Sequence, residues 1–153
     1  MATLFITIGL PGSGKTTYAK KLASDYSKSI TYLSSDELRA KFGTGEEDQS
    51  VTPQVFAHIK QEVDNLLKHG KNVLVDATNV NRGDRKESID TAKKYGAQVI
   101  ALVFVMDRAG LIKRNLDRSK LGGRAVPTEV IDKMLAKYEA PTSSEGIDYI
   151  IYV

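Results

Sequence analysis

Leu4-Phe5-Ile6-Thr7-Ile8-Gly9-Leu10-Pro11-Gly12-Ser13-Gly14-Lys15-Thr16-Thr17 is the stretch that decides the fold. Residues 4–8 are apolar and β-branched, which reads as a buried strand. The glycines break that run. From Lys15 onward Ala19, Leu22, Ala23 and Tyr26 recur at helical spacing. A Gly, four residues, then Gly-Lys-Thr, set between a strand and a helix, is the pattern of a phosphate-cradling P-loop. Its glycines let backbone N–H groups turn inward without Cβ clashes, and the helix behind them presents its positive end to the same anion. Lys15 then reaches the β and γ phosphates, and the Thr16 hydroxyl is a magnesium ligand. Gly9, Gly12, Ser13, Gly14, Lys15, Thr16 and Thr17 are therefore the candidate residues for ATP, with Mg²⁺ at Thr16.

Outward from this loop, strand and helix signals alternate. Strands are expected at 30–33, 72–75, 98–105 and 149–153, and helices at 15–26, 37–42, 52–70, 81–96, 109–118 and 128–138. Thr52-Pro53 reads as a hydroxyl N-cap followed by Pro at the first helical position, and Gly70 and Gly96 read as helix ends. Residues 43–51 are polar and Gly-containing, hence a loop. Alternation of this kind predicts an α/β, three-layer P-loop kinase-like sandwich with a five-stranded parallel sheet. One domain over 1–153 is expected, with a lid region at about 108–127.

Composition narrows the chemistry. Apolar residues make up 41% of the 153 and charged residues 27%, ordinary values for a globular domain. There is no apolar run long enough to span a bilayer, and the opening lacks a signal-peptide pattern, so a cytoplasmic protein without a membrane partner is expected. The absence of Cys excludes disulfides, thiolate catalysis and Cys-ligated zinc. The net charge of +3 permits a polyanionic partner without demanding one.

Three further groups of residues carry candidate chemistry. Asp76 closes the apolar strand 72–75, the position at which P-loop proteins place a magnesium-directed acid; the alternative is a strand-end Asp that caps a turn. Asp36 and Arg39 lie three apart after the second strand, on the ligand-binding edge of such a sheet. A carboxylate there can take the proton of an attacking hydroxyl, and a guanidinium beside it can grip an anionic acceptor. Spacing alone equally allows a capping Asp and a solvated Arg. Arg114 and Arg118, four apart on a helix with Lys113, Lys120 and Arg124 around them and Gly122-Gly123 beyond, suit a mobile lid that neutralises transferred charge. They equally suit a solvated basic face.

Together these residues resemble a known family. The P-loop, Ser34-Ser35-Asp36 with Arg39, Asp48-Gln49-Ser50-Val51-Thr52, Val75-Asp76-Ala77-Thr78-Asn79-Val80, and Arg114-Asn115 with Arg118 are similar to the 5′-polynucleotide kinases of phage end healing and of bacterial kinase-phosphatases. The resemblance runs from Leu4 to the last strand. It implies that Asp36 is general base toward a 5′-hydroxyl, that Arg39 contacts the adjacent phosphate, and that Arg114 and Arg118 contact ATP phosphates. Its implied partner is a nucleic acid 5′-OH end, DNA or RNA. Those relatives commonly carry a phosphatase or ligase domain, so a separate phosphatase or ligase in the same pathway is expected here. Thr78 and Asn79 match as sequence without an assigned role. Alternatives from other classes are a kinase for a small hydroxyl such as a sugar, nucleoside or sugar-nucleotide, and a non-catalytic nucleotide-binding module.

Overall fold

The computed structural model describes all residues except 27, 28, 47, 105, 106 and 123–125. Five strands, β1 (Thr3–Ile8), β2 (Ile30–Ser34), β3 (Asn72–Asp76), β4 (Gln98–Val103) and β5 (Tyr149–Tyr152), form one parallel sheet in the order β2-β3-β1-β4-β5. Six helices connect them: α1 (Lys15–Asp25), α2 (Ser35–Phe42), α3 (Thr52–Lys68), α4 (Arg82–Lys94), α5 (Arg108–Lys120) and α6 (Thr128–Lys137). The chain moves outward from β1 to β2, returns through β3, and crosses to β4 on the other side. Strand order therefore reverses around β1, and the crevice at the carboxyl ends of β1 and β3 is where such sheets bind ligands.

The period of two along the strands sorts the core. Leu4, Ile6 and Ile8 join Val73, Val75, Val99 and Val103 against α3 and α4, whereas Leu74, Leu102 and Phe104 pack with Ala19 of α1 on the other face. On α3, Val55, Ile59, Val63, Leu66 and Leu67 recur at helical spacing and are all buried. A smaller cluster of Leu10, Val80, Leu111 and Ile131 joins α5 and α6 to the loops that follow β1 and β3.

The expected architecture is present, with local differences. Helix α2 starts at Ser35, because the Ser34 hydroxyl accepts from the Glu37 backbone N–H at 3.2 Å and caps it; Asp36 is thus inside the first turn. Thr52 is the first helical residue of α3 and does not cap it. A 3-10 turn, Gln49–Val51, runs straight into the helix and replaces part of the expected loop. Helix α5 is longer than expected at both ends, capped by Asp107 onto the Gly110 N–H at 3.0 Å. Val105 of the expected fourth strand, and Gly123 and Arg124 of the expected lid, lie outside the described residues.

One ion pair among the described residues has a guanidinium with no exposed surface. Arg85 of α4 has no exposed surface and meets Glu145, in a 3-10 turn at Ser143–Glu145, through Nε–Oε1 and Nη2–Oε2 contacts of 2.9 and 3.1 Å. Burial pushes the Glu145 carboxyl up, but the Arg85 bond and charge and the Thr142 backbone N–H outweigh it and leave it below its usual 4.5. A depressed carboxyl contributes stability that is present above its unfolded value and lost as pH falls below it.

Leu4 lies on the central strand with no exposed surface. Leu4→Ala should destabilise the domain by about 2–5 kcal/mol, through lost burial and a residual cavity. Urea unfolding followed by circular dichroism checks this.

Candidate active site

The carboxyl ends of β1, β2 and β3 open into a cavity of about 790 Å³. Lys15, Thr16, Asp36, Arg39 and Asp76 all line it, so the phosphate loop, the strand-end acid and the Asp36–Arg39 pair share one space.

The phosphate loop takes its shape from backbone sterics. Gly12 and Gly14 have φ of 89° and 90°, which side chains rarely adopt. Gly14 is the N-cap of α1 and supplies no side-chain cap, so the first N–H groups of the helix stay directed at the loop's interior. Ser13 donates its backbone N–H to Leu10 O at 3.1 Å, which closes the turn, and its buried Oγ has no hydrogen-bond partner among the described residues. Lys15 is buried and Thr17 is exposed.

Asp76 is buried at the end of β3. The Tyr32 hydroxyl donates to its Oδ2 at 2.5 Å, and the Thr7 hydroxyl lies 3.4 Å from Oδ1. Burial, then the charge of Asp76, push the Tyr32 phenol far above its ordinary value, so it stays a hydrogen-bond donor. Thr16 and Asp76 lining the same cavity give one hydroxyl and one carboxylate, with room for phosphate oxygens and water. That donor set fits Mg²⁺, which prefers oxygen ligands and keeps waters.

On α2, Arg39 Nη1 donates to Asp36 Oδ1 at 3.0 Å, and both residues sit on the cavity wall. The Arg39 guanidinium also lies 5.9 Å from the ring centroid of Phe56, an exposed aromatic residue at the cavity mouth. Gln49 also lines the cavity, as do Asp84 and Glu87 of α4 and Val126, Pro127, Val130 and Met134.

Arg114 and Arg118 occupy a different place. Neither Arg114 nor Arg118 lines the cavity among the described residues. Arg114 lies over the phosphate loop, its Nη1 3.1 Å from where a Cβ on Gly14 would stand. Arg118 has a buried Nε without a hydrogen-bond partner among the described residues. Between them Asn115 is buried and donates to Pro11 O at 2.6 Å and Leu111 O at 2.9 Å, which fixes α5 to the loop.

Sequence reasoning did not find Tyr32, Phe56, Arg85 or the anchoring contacts of Asn115. Tyr32 sits two residues before Ser34 and so shares its face of β2, which is a usable signal. Arg85 had none, because its partner is 60 positions away.

Fold and loop define a P-loop α/β domain of the kinase type. The chain belongs to the AAA domain family AAA_33, which it matches over residues 4–141. It is similar to the L-seryl-tRNA(Sec) kinase of Methanococcus maripaludis, 28% identical over 95% of this chain and 56% of the relative. Among solved structures, a chain of the Pnkp1/Rnl/Hen1 RNA repair complex matches 89% of this chain with 43% of its own length, at 27% identity and TM-score 0.76. Chaetomium thermophilum Kti12 in complex with ADP-AlF3 shares the fold, at 20% identity, TM-score 0.76, and coverage of 98% of this chain and 88% of that one. The chain thus spans about half the length of the first two relatives.

Gly12→Ala would place a Cβ 2.6 Å from the Asn115 amide nitrogen at a positive φ, whereas a Cβ on Gly45 meets nothing within 4 Å. Gly12→Ala should cost about 1–3 kcal/mol of stability and weaken nucleotide binding; Gly45→Ala should stay within about 0.5 kcal/mol of the parent. Urea unfolding and ADP titration calorimetry measure both.

Proposed function

We propose that this domain transfers the γ-phosphoryl group of ATP to the 5′-hydroxyl end of a polynucleotide. The observation that carries the reading is the Asp36–Arg39 pair on the wall of the cavity that also holds Lys15, Thr16 and Asp76. Two relatives, one named for a tRNA-borne serine and one from an RNA repair complex, support an acceptor carried on nucleic acid.

In this reading the phosphate loop binds the ATP phosphates through its backbone N–H groups, and Lys15 meets the negative charge on the transferred group. Thr16 and Asp76 would hold Mg²⁺, which when bound offsets charge on the phosphate oxygens. Tyr32 orients Asp76. Asp36 accepts the proton of the 5′-hydroxyl as its oxygen bonds to the γ-phosphorus, and the bond from that phosphorus to the β–γ bridging oxygen breaks, releasing ADP. Arg39 holds both Asp36 and the phosphate next to the acceptor nucleoside. Arg114, over the phosphate loop, and Arg118 act from the donor side as the α5 lid.

A small-molecule acceptor is the second reading. Asp84 and Glu87 line the same cavity, and carboxylates there disfavour a second acceptor phosphate on the α4 side. Salt dependence separates the two, because phosphate contacts release counterions and KM for a strand rises with salt.

Asp36→Asn should lower kcat by about a hundred- to ten-thousandfold, the usual worth of a general base, with ATP affinity little changed. Arg39→Ala should raise KM for a 5′-hydroxyl oligonucleotide far more than for a nucleoside without the adjacent phosphate. Steady-state kinetics on the two acceptors checks both, and equal losses for Arg39→Ala would contradict the polynucleotide reading.

A further inference from the structure

Asn79 is the one described non-glycine residue with a positive φ, 47°. Asn tolerates this left-handed region better than most residues, yet it still needs surrounding structure to hold it there. The turn it makes also shapes the site. The Asn79 side chain donates to Thr7 O at 2.8 Å, and the carbonyl before it, Thr78 O, accepts from the backbone N–H of Gly9 at 3.0 Å. Gly9 opens the phosphate loop, and Thr78 and Asn79 line the cavity. Displacing this turn displaces the loop's first residue.

What holds the turn comes from outside the cavity. Arg85 Nη1 donates to Asn79 O at 2.8 Å, while its Nε and Nη2 grip the two Glu145 oxygens. The carboxylate is itself fixed by the Thr142 backbone N–H, 2.9 Å from Oε2. A buried ion pair is a poor source of net stability, because desolvation offsets its attraction and apolar residues of similar volume often serve as well. The planar guanidinium does something they cannot: it engages both carboxylate oxygens and a third acceptor in one fixed geometry.

We propose that Arg85 and Glu145 are positioning residues that hold the Asn79 turn, and through it the start of the phosphate loop, in the nucleotide-binding shape. The inference rests on the kinase reading only for the nucleotide as ligand. Arg85→Lys discriminates, since it keeps the charge beside Glu145 but cannot hold the carboxylate fork and Asn79 O together. Arg85→Met removes both. Val63→Ala, in the α3 core, is the control for stability loss alone. Amide hydrogen exchange at Gly9 and calorimetric ADP affinity are measured on each, with urea unfolding for global stability. Arg85→Lys should retain more stability than Arg85→Met, yet both should speed Gly9 exchange and weaken ADP binding by about tenfold beyond Val63→Ala. Exchange and affinity that simply follow global stability, as in Val63→Ala, would overturn the proposal. If the Arg85 variants do not fold, Glu145→Gln, which keeps the shape and loses the charge, is read by the same two criteria. Failure of the acceptor assignment is distinguishable, because it appears as absent transfer to 5′-hydroxyl ends by the parent protein and leaves both readouts intact.

Discussion

The seam between β1 and β3 does not stop where the strands end, and the site depends on that continuation. Thr7 is fully buried beside β3. Its hydroxyl donates to Ala77 O at 2.8 Å and accepts from Ala77 N–H at 3.1 Å, close to Asp76. The next bonds, Asn79 to Thr7 O and Gly9 N–H to Thr78 O, carry the pairing past the sheet. Buried backbone groups must find partners as the two chains diverge, and here each satisfies the other. The phosphate loop and the strand-end acid are consequently bonded into one continuous unit.

Two further groups of side chains attach to this unit. Arg114 lies over Gly14 and Asn115 is bonded to Pro11, so α5 is registered to the phosphate loop itself. Asp36 and Arg39 arrive on α2, whose first turn is fixed by the Ser34 cap at the end of β2. Lys15 lines the same cavity as Asp36 and Arg39. The transfer proposed above runs in line, with attacking and leaving oxygens on opposite sides of the phosphorus.

Much of this was legible because it is local. The glycine spacing, the apolar strand before it and the helical period after it all fall within a short window, and parallel strands buried on both faces read as continuous apolar runs. Asp36 and Arg39 were legible as a pair for the same reason, being one helical turn apart. Spacing could not show whether Arg39 is solvated; its burial and its bond to Asp36 show that it is not. Arg85 carries no local signal of this kind; only the fold brings Glu145 to it. The start of α2 was misjudged because Ser34, Ser35 and Asp36 are all good caps, and which one caps depends on where β2 ends.

Label transfer from γ-labelled ATP, with Mg²⁺ present, to 5′-hydroxyl oligonucleotides and to a panel of nucleosides and sugars tests the central claim most directly. The account predicts labelling at the oligonucleotide 5′ end with a higher kcat/KM than for any free nucleoside or sugar. Labelling of a small acceptor with the oligonucleotide left unlabelled would contradict it.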